Sequence, residues 1–268
     1  MSPASLDDLE RELRALGRVV VAFSGGADSA LVAKVARDTL GRDRALAATA
    51  LSPSLAEREE AECRALAAEW DLRWVGVATG ELDDPAYVAN GPDRCARCKH
   101  ALMAALAPLA EAEAATVVLG VNLDDLSDYR PGQAEASRLG ARFPLVDAGF
   151  DKAAVRAWSR RLGLRTWDKP AAACLASRIP YGTPVTVGTL RSVAQAEAAL
   201  AAMGLGTLRV RHHGTVARIE VEPDRLADLV ARRESVIEAV KSAGYRYVTV
   251  DLAGFRSGSL NEVLEAPR

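Results

Sequence analysis

The chain has 268 residues, enough for two unequal domains, because single hydrophobic cores stop growing near roughly 250 to 300 residues. Hydrophobic residues make up 49% and charged residues 26%, the balance of an ordinary globular protein, which argues against disorder. The formal net charge of −2 disfavours a surface that grips a long nucleic acid through many phosphates. Met1 to Arg18 is charged and helix-like with no apolar leader, and no stretch approaches about 18 uninterrupted apolar residues. A soluble cytoplasmic protein with no membrane or nucleic-acid partner is therefore expected.

In chain order, a polar helix over 6–16 precedes Val19-Val20-Val21-Ala22-Phe23, an apolar run without alternation that suits a strand buried on both faces of a parallel sheet. Helical spacing follows over 31–40, a strand over 45–50, a helix over 55–70 and a strand over 72–77. A loop rich in Asp, Asn, Gly and Pro covers 80–93, and then come a helix over 95–114, a buried strand at 116–119 and a further helix over 152–162. Alternating strands and helices imply βαβ units and an α/β fold with a doubly wound, mostly parallel sheet.

Residues 165–186 break this pattern with three prolines and no clear period, which marks a functional loop or a domain junction. Beyond it a helix over 187–203, a hairpin pairing 207–213 with 215–221, a helix over 226–243 and a strand over 245–252 form a smaller α+β domain. The expected division is therefore 1–170 and 171–268, with the Cys174 loop at the junction.

Three groups of residues carry chemistry. The first is Ser24-Gly25-Gly26-Ala27-Asp28-Ser29, between the first strand and the helix that follows. Glycines let the backbone approach an anion, N–H groups of the turn and helix start point at it, and the serine hydroxyls add donors. The loop lacks the lysine of the Walker pattern and the spacing of a dinucleotide fingerprint, so neither γ-phosphate transfer nor hydride transfer is indicated.

The second group is Cys95-Ala96-Arg97-Cys98, with Cys174 far along the chain. Alone, the pair is ambiguous among zinc, iron–sulfur and redox roles, with incidental thiols at a helix cap the lesser reading, and four-ligand zinc would need a further partner such as His100. Three thiolates suffice to hold a four-iron four-sulfur cluster and leave one iron open. Cys63, in a helix among Ala and Leu, reads as structural, and Trp158 as core.

The third group lies on Leu208 to His213, where alternation puts Arg209, Arg211 and His213 on one strand face, with Arg218 and Glu220 on the returning strand. Two guanidiniums there can clamp a phosphate or carboxylate, or can simply line a solvated edge. Arg256, in a Gly- and Ser-rich turn, admits the same two readings.

SGGADS resembles the PP-loop of the ATP-pyrophosphatases. Taken with DRCARCKH (93–100), NLDDLSDYRPG (122–132), WDKPAAACLASRIPYG (167–182), RVRHHG (209–214), ARIEV (217–221) and GFRSGSLNEVL (254–264), it resembles the LarE family over nearly the whole chain. These are ATP-dependent sulfur transferases that make the nickel-pincer nucleotide cofactor of lactate racemase. The resemblance implies an adenine nucleotide alpha-hydrolase-like fold. It also implies a reaction in which a carboxylate of pyridinium-3,5-biscarboxylic acid mononucleotide attacks ATP, pyrophosphate leaves, and sulfur displaces AMP to give a thiocarboxylate.

By matching position, it places ATP and Mg2+ at Ser24, Gly25, Gly26, Asp28 and Ser29, with Asn122, Arg130 and Arg178, and the substrate at Glu197, Arg209, Arg211, Glu220 and Arg256. Cys174 and Asp28 would be catalytic. Some members sacrifice the sulfur of the cysteine matching Cys174, whereas three-cysteine members, with cysteines matching Cys95, Cys98 and Cys174, hold a 4Fe-4S cluster from which an extra sulfide, provided by a sulfide donor, would be transferred, and this sequence falls with the latter. Homo-oligomers are expected. The rival readings are a PP-loop tRNA thiolase, disfavoured by the charge balance, and a non-catalytic nucleotide-binding sensor, disfavoured by the three thiols.

Overall fold

A computed structural model of the chain describes residues 4–127, 131–170 and 173–256. It divides into two compact units, one of 1–87 with 92–172 and one of 88–91 with 173–268.

In the first unit, β1 (Val19–Ala22), β2 (Ala45–Leu51), β3 (Arg73–Ala78) and β4 (Thr116–Leu119) form a parallel sheet in the order β3-β2-β1-β4. Burial on both sides follows from strand alternation. Val19, Val21, Ala45, Ala47 and Val118 enter one core, whereas Val20, Leu46, Ala48, Val117 and Leu119 enter the other. The first core is covered by α1 (Leu6–Leu16), α2 (Ala27–Leu40), α3 (Glu57–Glu69) and α9 (Lys152–Arg161), and holds Cys63 and, at its margin, Trp158. The second is covered by α5 (Arg94–Ala112) and α7 (Pro131–Arg138).

Three short helices complete the unit: α4 (Pro85–Val88), where a plain loop was expected, α6 (Leu123–Ser127) and α8 (Pro144–Asp147). Periodicity needs about 11 residues to show itself, and these are far shorter. The α2 helix starts at Ala27, four residues before its spacing becomes apolar, since its first turn carries chemistry rather than core.

The sheet order creates a strand-order reversal of the kind at which parallel sheets bind ligands. From β1 the chain proceeds outward through β2 and β3, then returns to the other side of β1 as β4. Loops after β1 and β4 therefore diverge at a topological switch point, beyond the carboxyl ends of the strands.

The second unit contains α10 (Val187–Ala202), the antiparallel pair β5 (Leu208–His213) and β6 (Val216–Val221), α11 (Leu226–Ala231), α12 (Arg233–Ser242) and β7 (Tyr247–Val250), which lies parallel to β6. Thr186 and Thr189 form a capping box at the start of α10. The hairpin turns through Gly214 at φ +63. The helix expected over 226–243 is two helices broken at Arg232, and the last strand is shorter than the expected 245–252. The aperiodic 165–186 segment holds a 3-10 turn at Leu175–Arg178. Its Ile179, Pro180 and Thr183 carbonyls all accept from the buried Asn90 side-chain amide, and the Gly182 N–H donates to the Asn90 carbonyl. Among the described residues no helix is long and apolar enough to cross a membrane.

Candidate active site

The Ser24–Ser29 loop leaves β1 with Gly25 in the left-handed region at φ +67, a conformation that costs a side chain roughly 1–2 kcal/mol. A Cβ there would also meet the Cys63 sulfur at 3.0 Å. Ser29 Oγ accepts from the Ser24 N–H at 3.2 Å, lies 3.1 Å from Ser24 Oγ and donates to the Gly26 carbonyl at 3.2 Å, which folds the loop back on the first turn of α2. Gly26 is the N-cap of α2, and no side chain among the described residues caps it. The first turn lies at the positive end of the helix dipole, where an anion is favoured.

The loop after β4 presses on the same turn. A Cβ at Gly120 would lie 2.6 Å from the Ser29 backbone nitrogen and 2.8 Å from the Asp28 carbonyl carbon. Only glycine permits that approach. Two residues later the fully buried Asn122 donates from Nδ2 to Asp28 Oδ1 at 2.8 Å, while its own Oδ1 accepts from the Asp125 N–H. Burial holds the Asp28 carboxyl above the usual carboxylate range, opposed by the Asn122 bond and reinforced by nearby Asp125. A desolvated carboxylate next to a phosphate cradle has the donor character to take a hard cation. Arg130 lies outside the described residues.

Lys169 was absent from the residues singled out in the sequence. Its ammonium donates to the Gly25 carbonyl at 3.1 Å and to Glu59 Oε2, on α3, at 2.7 Å. The signal was the WDKP motif itself, but an aperiodic segment gives no indication of which loop it reaches.

The substrate residues proposed from β5 and β6 gather inside the second unit. Arg211 forms a bidentate pair with Glu220 at 2.9 and 2.8 Å, and its remaining nitrogen donates to the Ser177 carbonyl at 2.7 Å. Arg178 pairs with Glu197 at 2.8 and 3.2 Å and donates to the Ala173 and Cys174 carbonyls. Glu197 also accepts the Val210 N–H. Arg178 was assigned to the nucleotide by resemblance; the structure places it in the second unit as the brace of the Cys174 turn. The edge reading for Arg209 and Arg211 gives way, since both are buried.

Arg209 differs from its neighbours. Its guanidinium makes no hydrogen bond among the described residues and lies 4.8 Å over the Phe255 ring, a cation–π contact. Burial first, then Arg178 and Arg211, push its pKa down to about 10. Arg218 adds a further cation beside Glu220. Guanidinium exceeds carboxylate in this cluster, and an anion would restore the balance. Arg256 follows Phe255 and is partly buried, whereas 257–268 lie outside the described residues.

Cys95 and Cys98 sit in the first turns of α5, Cys95 exposed and Cys98 partly buried. A Cβ at Gly132 would meet the Cys95 carbonyl oxygen at 2.8 Å, so α7 packs directly on this turn. Cys174 is exposed at the start of the Leu175–Arg178 turn in the other unit. Among the described residues no three His, Cys, Asp or Glu side chains gather closely enough to hold a metal ion.

Comparison with known proteins bears on this arrangement. The NAD synthase family model matches residues 5–82, which hold the phosphate loop. An uncharacterized protein of Synechocystis sp. is 43% identical over 98% of this chain and 99% of its own length. An uncharacterized protein of Methanocaldococcus jannaschii is 24% identical, over 90% of this chain and 91% of its own. The pyridinium-3,5-bisthiocarboxylic acid mononucleotide synthase of Lactiplantibacillus plantarum is 40% identical over 94% of this chain and 92% of its own. With a phosphate loop at the switch point of a parallel sheet and that degree of identity along its length, the chain belongs to the LarE family of the PP-loop fold.

Proposed function

We propose that the chain is an ATP-dependent sulfur transferase that adenylates a carboxylate of pyridinium-3,5-biscarboxylic acid mononucleotide and converts it to a thiocarboxylate. The observation that carries this reading is the uncapped start of α2 behind the Ser24–Ser29 loop, which has no Walker lysine, in a chain 40% identical to a synthase of the bisthiocarboxylic product. The loop and first-turn N–H groups bind pyrophosphate as it leaves, stabilising charge that grows in the transition state. Asp28, oriented by Asn122, is the residue that would hold Mg2+, which supplies neutralisation of the phosphate charge. A free carboxylate resists an anionic sulfur nucleophile, and conversion to a mixed anhydride removes that resistance.

Sulfur handling falls to the three thiols. Cys95, Cys98 and Cys174 would hold a four-iron four-sulfur cluster, which would supply the sulfide to be transferred. Cys95 and Cys98, one helical turn apart on α5, and an exposed Cys174 form a donor set of the right type. Arg178 fixes the backbone of the Cys174 turn through its two carbonyl contacts. The guanidinium-rich cluster around Arg209 suits the phosphate or carboxylates of the mononucleotide.

The test uses protein purified without oxygen and reconstituted with iron and sulfide. Pyrophosphate release that depends on the dicarboxylate mononucleotide, together with iron and acid-labile sulfide lost in a Cys95→Ser variant, supports the reading. Nucleotide-independent or tRNA-dependent release refutes the substrate. Loss of the Cys174 sulfur by mass spectrometry, with no iron bound, refutes the cluster.

A further inference from the structure

The phosphate loop contains no cation of its own, and its one charged residue, Asp28, is negative. Lys152 acts on the Asp28 carboxyl, and a second cation bonds to the loop backbone itself from far along the chain. Lys169 reaches the loop from the segment that also carries Cys174, and its Nζ lies 3.8 Å from the position that a Gly25 Cβ would occupy. Two contacts fix the segment where it approaches the loop. The Lys169 N–H donates to the Thr166 carbonyl, and the neighbouring Trp167 ring lies under Arg160 at 5.1 Å. An ammonium has three donors. Among the described residues two are in use, one on the Gly25 carbonyl and one on Glu59, whose side chain like that of Lys169 is largely buried.

From this geometry we infer that Lys169 is an ATP ligand. It stands in for the lysine missing from the loop and contacts the phosphates that leave as pyrophosphate, not the AMP half. This rests on the ATP-binding role of the Ser24–Ser29 loop. Before ATP binds, Glu59 and the Gly25 carbonyl hold the ammonium at the loop; with ATP present, its free donor and the bond it relinquishes from the carbonyl go to phosphate oxygens. A compact, mobile ammonium on a flexible stem is suited to that exchange. Glu59 then acts as a competitor that keeps the cation near the loop without a fixed bond to nucleotide.

Equilibrium binding of α,β-methylene-ATP and of AMP to the full chain tests this, with Lys169→Met, Lys169→Arg and Glu59→Gln beside the parent and folding checked by circular dichroism. Lys169→Met is expected to weaken the ATP analogue by roughly tenfold or more, the scale of a hydrogen bond to a charged group, and to leave AMP unchanged. Lys169→Arg retains most of the analogue affinity. Glu59→Gln binds the analogue as tightly as the parent or more tightly. Equal weakening of analogue and AMP would show a structural pin on Gly25 and overturn the inference, as would unaltered binding of both or a Glu59→Gln loss matching that of Lys169→Met. A parent chain that binds neither nucleotide overturns the ATP site itself, and with it the role of Lys169.

Discussion

Glu220→Gln isolates the electrostatics of the second unit. The Glu220 carboxylate is 1% exposed and accepts from Arg211 twice, at 2.9 and 2.8 Å, and from Arg218 at 3.1 Å. Glutamine keeps the volume and one acceptor oxygen but removes the charge, leaving the Arg211 guanidinium buried beside an Arg209 that already lacks a hydrogen-bonding partner among the described residues. Breaking a buried pair from one side costs about 3–5 kcal/mol, since the remaining charge stays out of water. For a unit of about 100 residues, where 1 kcal/mol moves Tm by roughly 4–8 °C, the lower figure corresponds to a drop of about 12 °C or more. Trp70, Trp74, Trp158 and Trp167 all belong to the first unit. Urea titration followed by tryptophan fluorescence therefore reports that unit, and far-ultraviolet circular dichroism adds the second. The dichroism midpoint of Glu220→Gln should fall, and inorganic phosphate should restore part of the loss by supplying the missing negative charge. An unchanged midpoint, without phosphate, would refute the claim that this charge is needed to balance the cluster.

Other expectations concern the phosphate loop and the Cys174 segment. Asp28→Asn should stabilise the nucleotide-free protein at neutral pH while abolishing pyrophosphate release. Because burial raises the Asp28 pKa, the native fold favours the protonated form, so its stabilising contribution is present in acid and is lost as pH rises through the raised value; melts at descending pH should show the gain of the variant disappearing. Gly120→Ala puts a methyl against backbone at 2.6 Å, and it should cost about 1–3 kcal/mol and eliminate ATP binding in calorimetry. Asn90→Ala strands three carbonyls and places alanine at φ +58. It should destabilise by about 1–3 kcal/mol, and Asn90→Gly should recover roughly 1 kcal/mol of that, the left-handed backbone penalty, in denaturant titrations.

Much of the first unit was legible because its signals are local. Val19 to Phe23 has no alternation since both faces of β1 are covered, and Ser24 to Ser29 carries its own turn chemistry. Pairing across long separations was not legible. Nothing in the sequence says that Gly120 touches Ser29, that Asn90 holds the Ile179–Thr183 backbone, or that Lys169 reaches Gly25, because each contact follows from the sheet order or from an aperiodic segment. The strand face of Arg209 and Arg211 was read correctly from period 2, yet alternation could not distinguish a guanidinium consumed by Glu220 from one stacked on Phe255. Resemblance assigned Arg178 to nucleotide, and its bonds to Glu197 and to the Cys174 turn were not legible because they fall in the aperiodic segment.

The thiol of Cys63 lies directly under Gly25, and burial raises its pKa and excludes it from solvent. A reagent reaches that sulfur when the packing over it opens, and the glycine turn is part of that cover, so the alkylation rate of Cys63 responds to loop opening in the unmodified protein with no probe attached. A nucleotide that holds the turn down should slow this clock in proportion to its occupancy, so the same sulfur compares how well substrate and each product fill the loop.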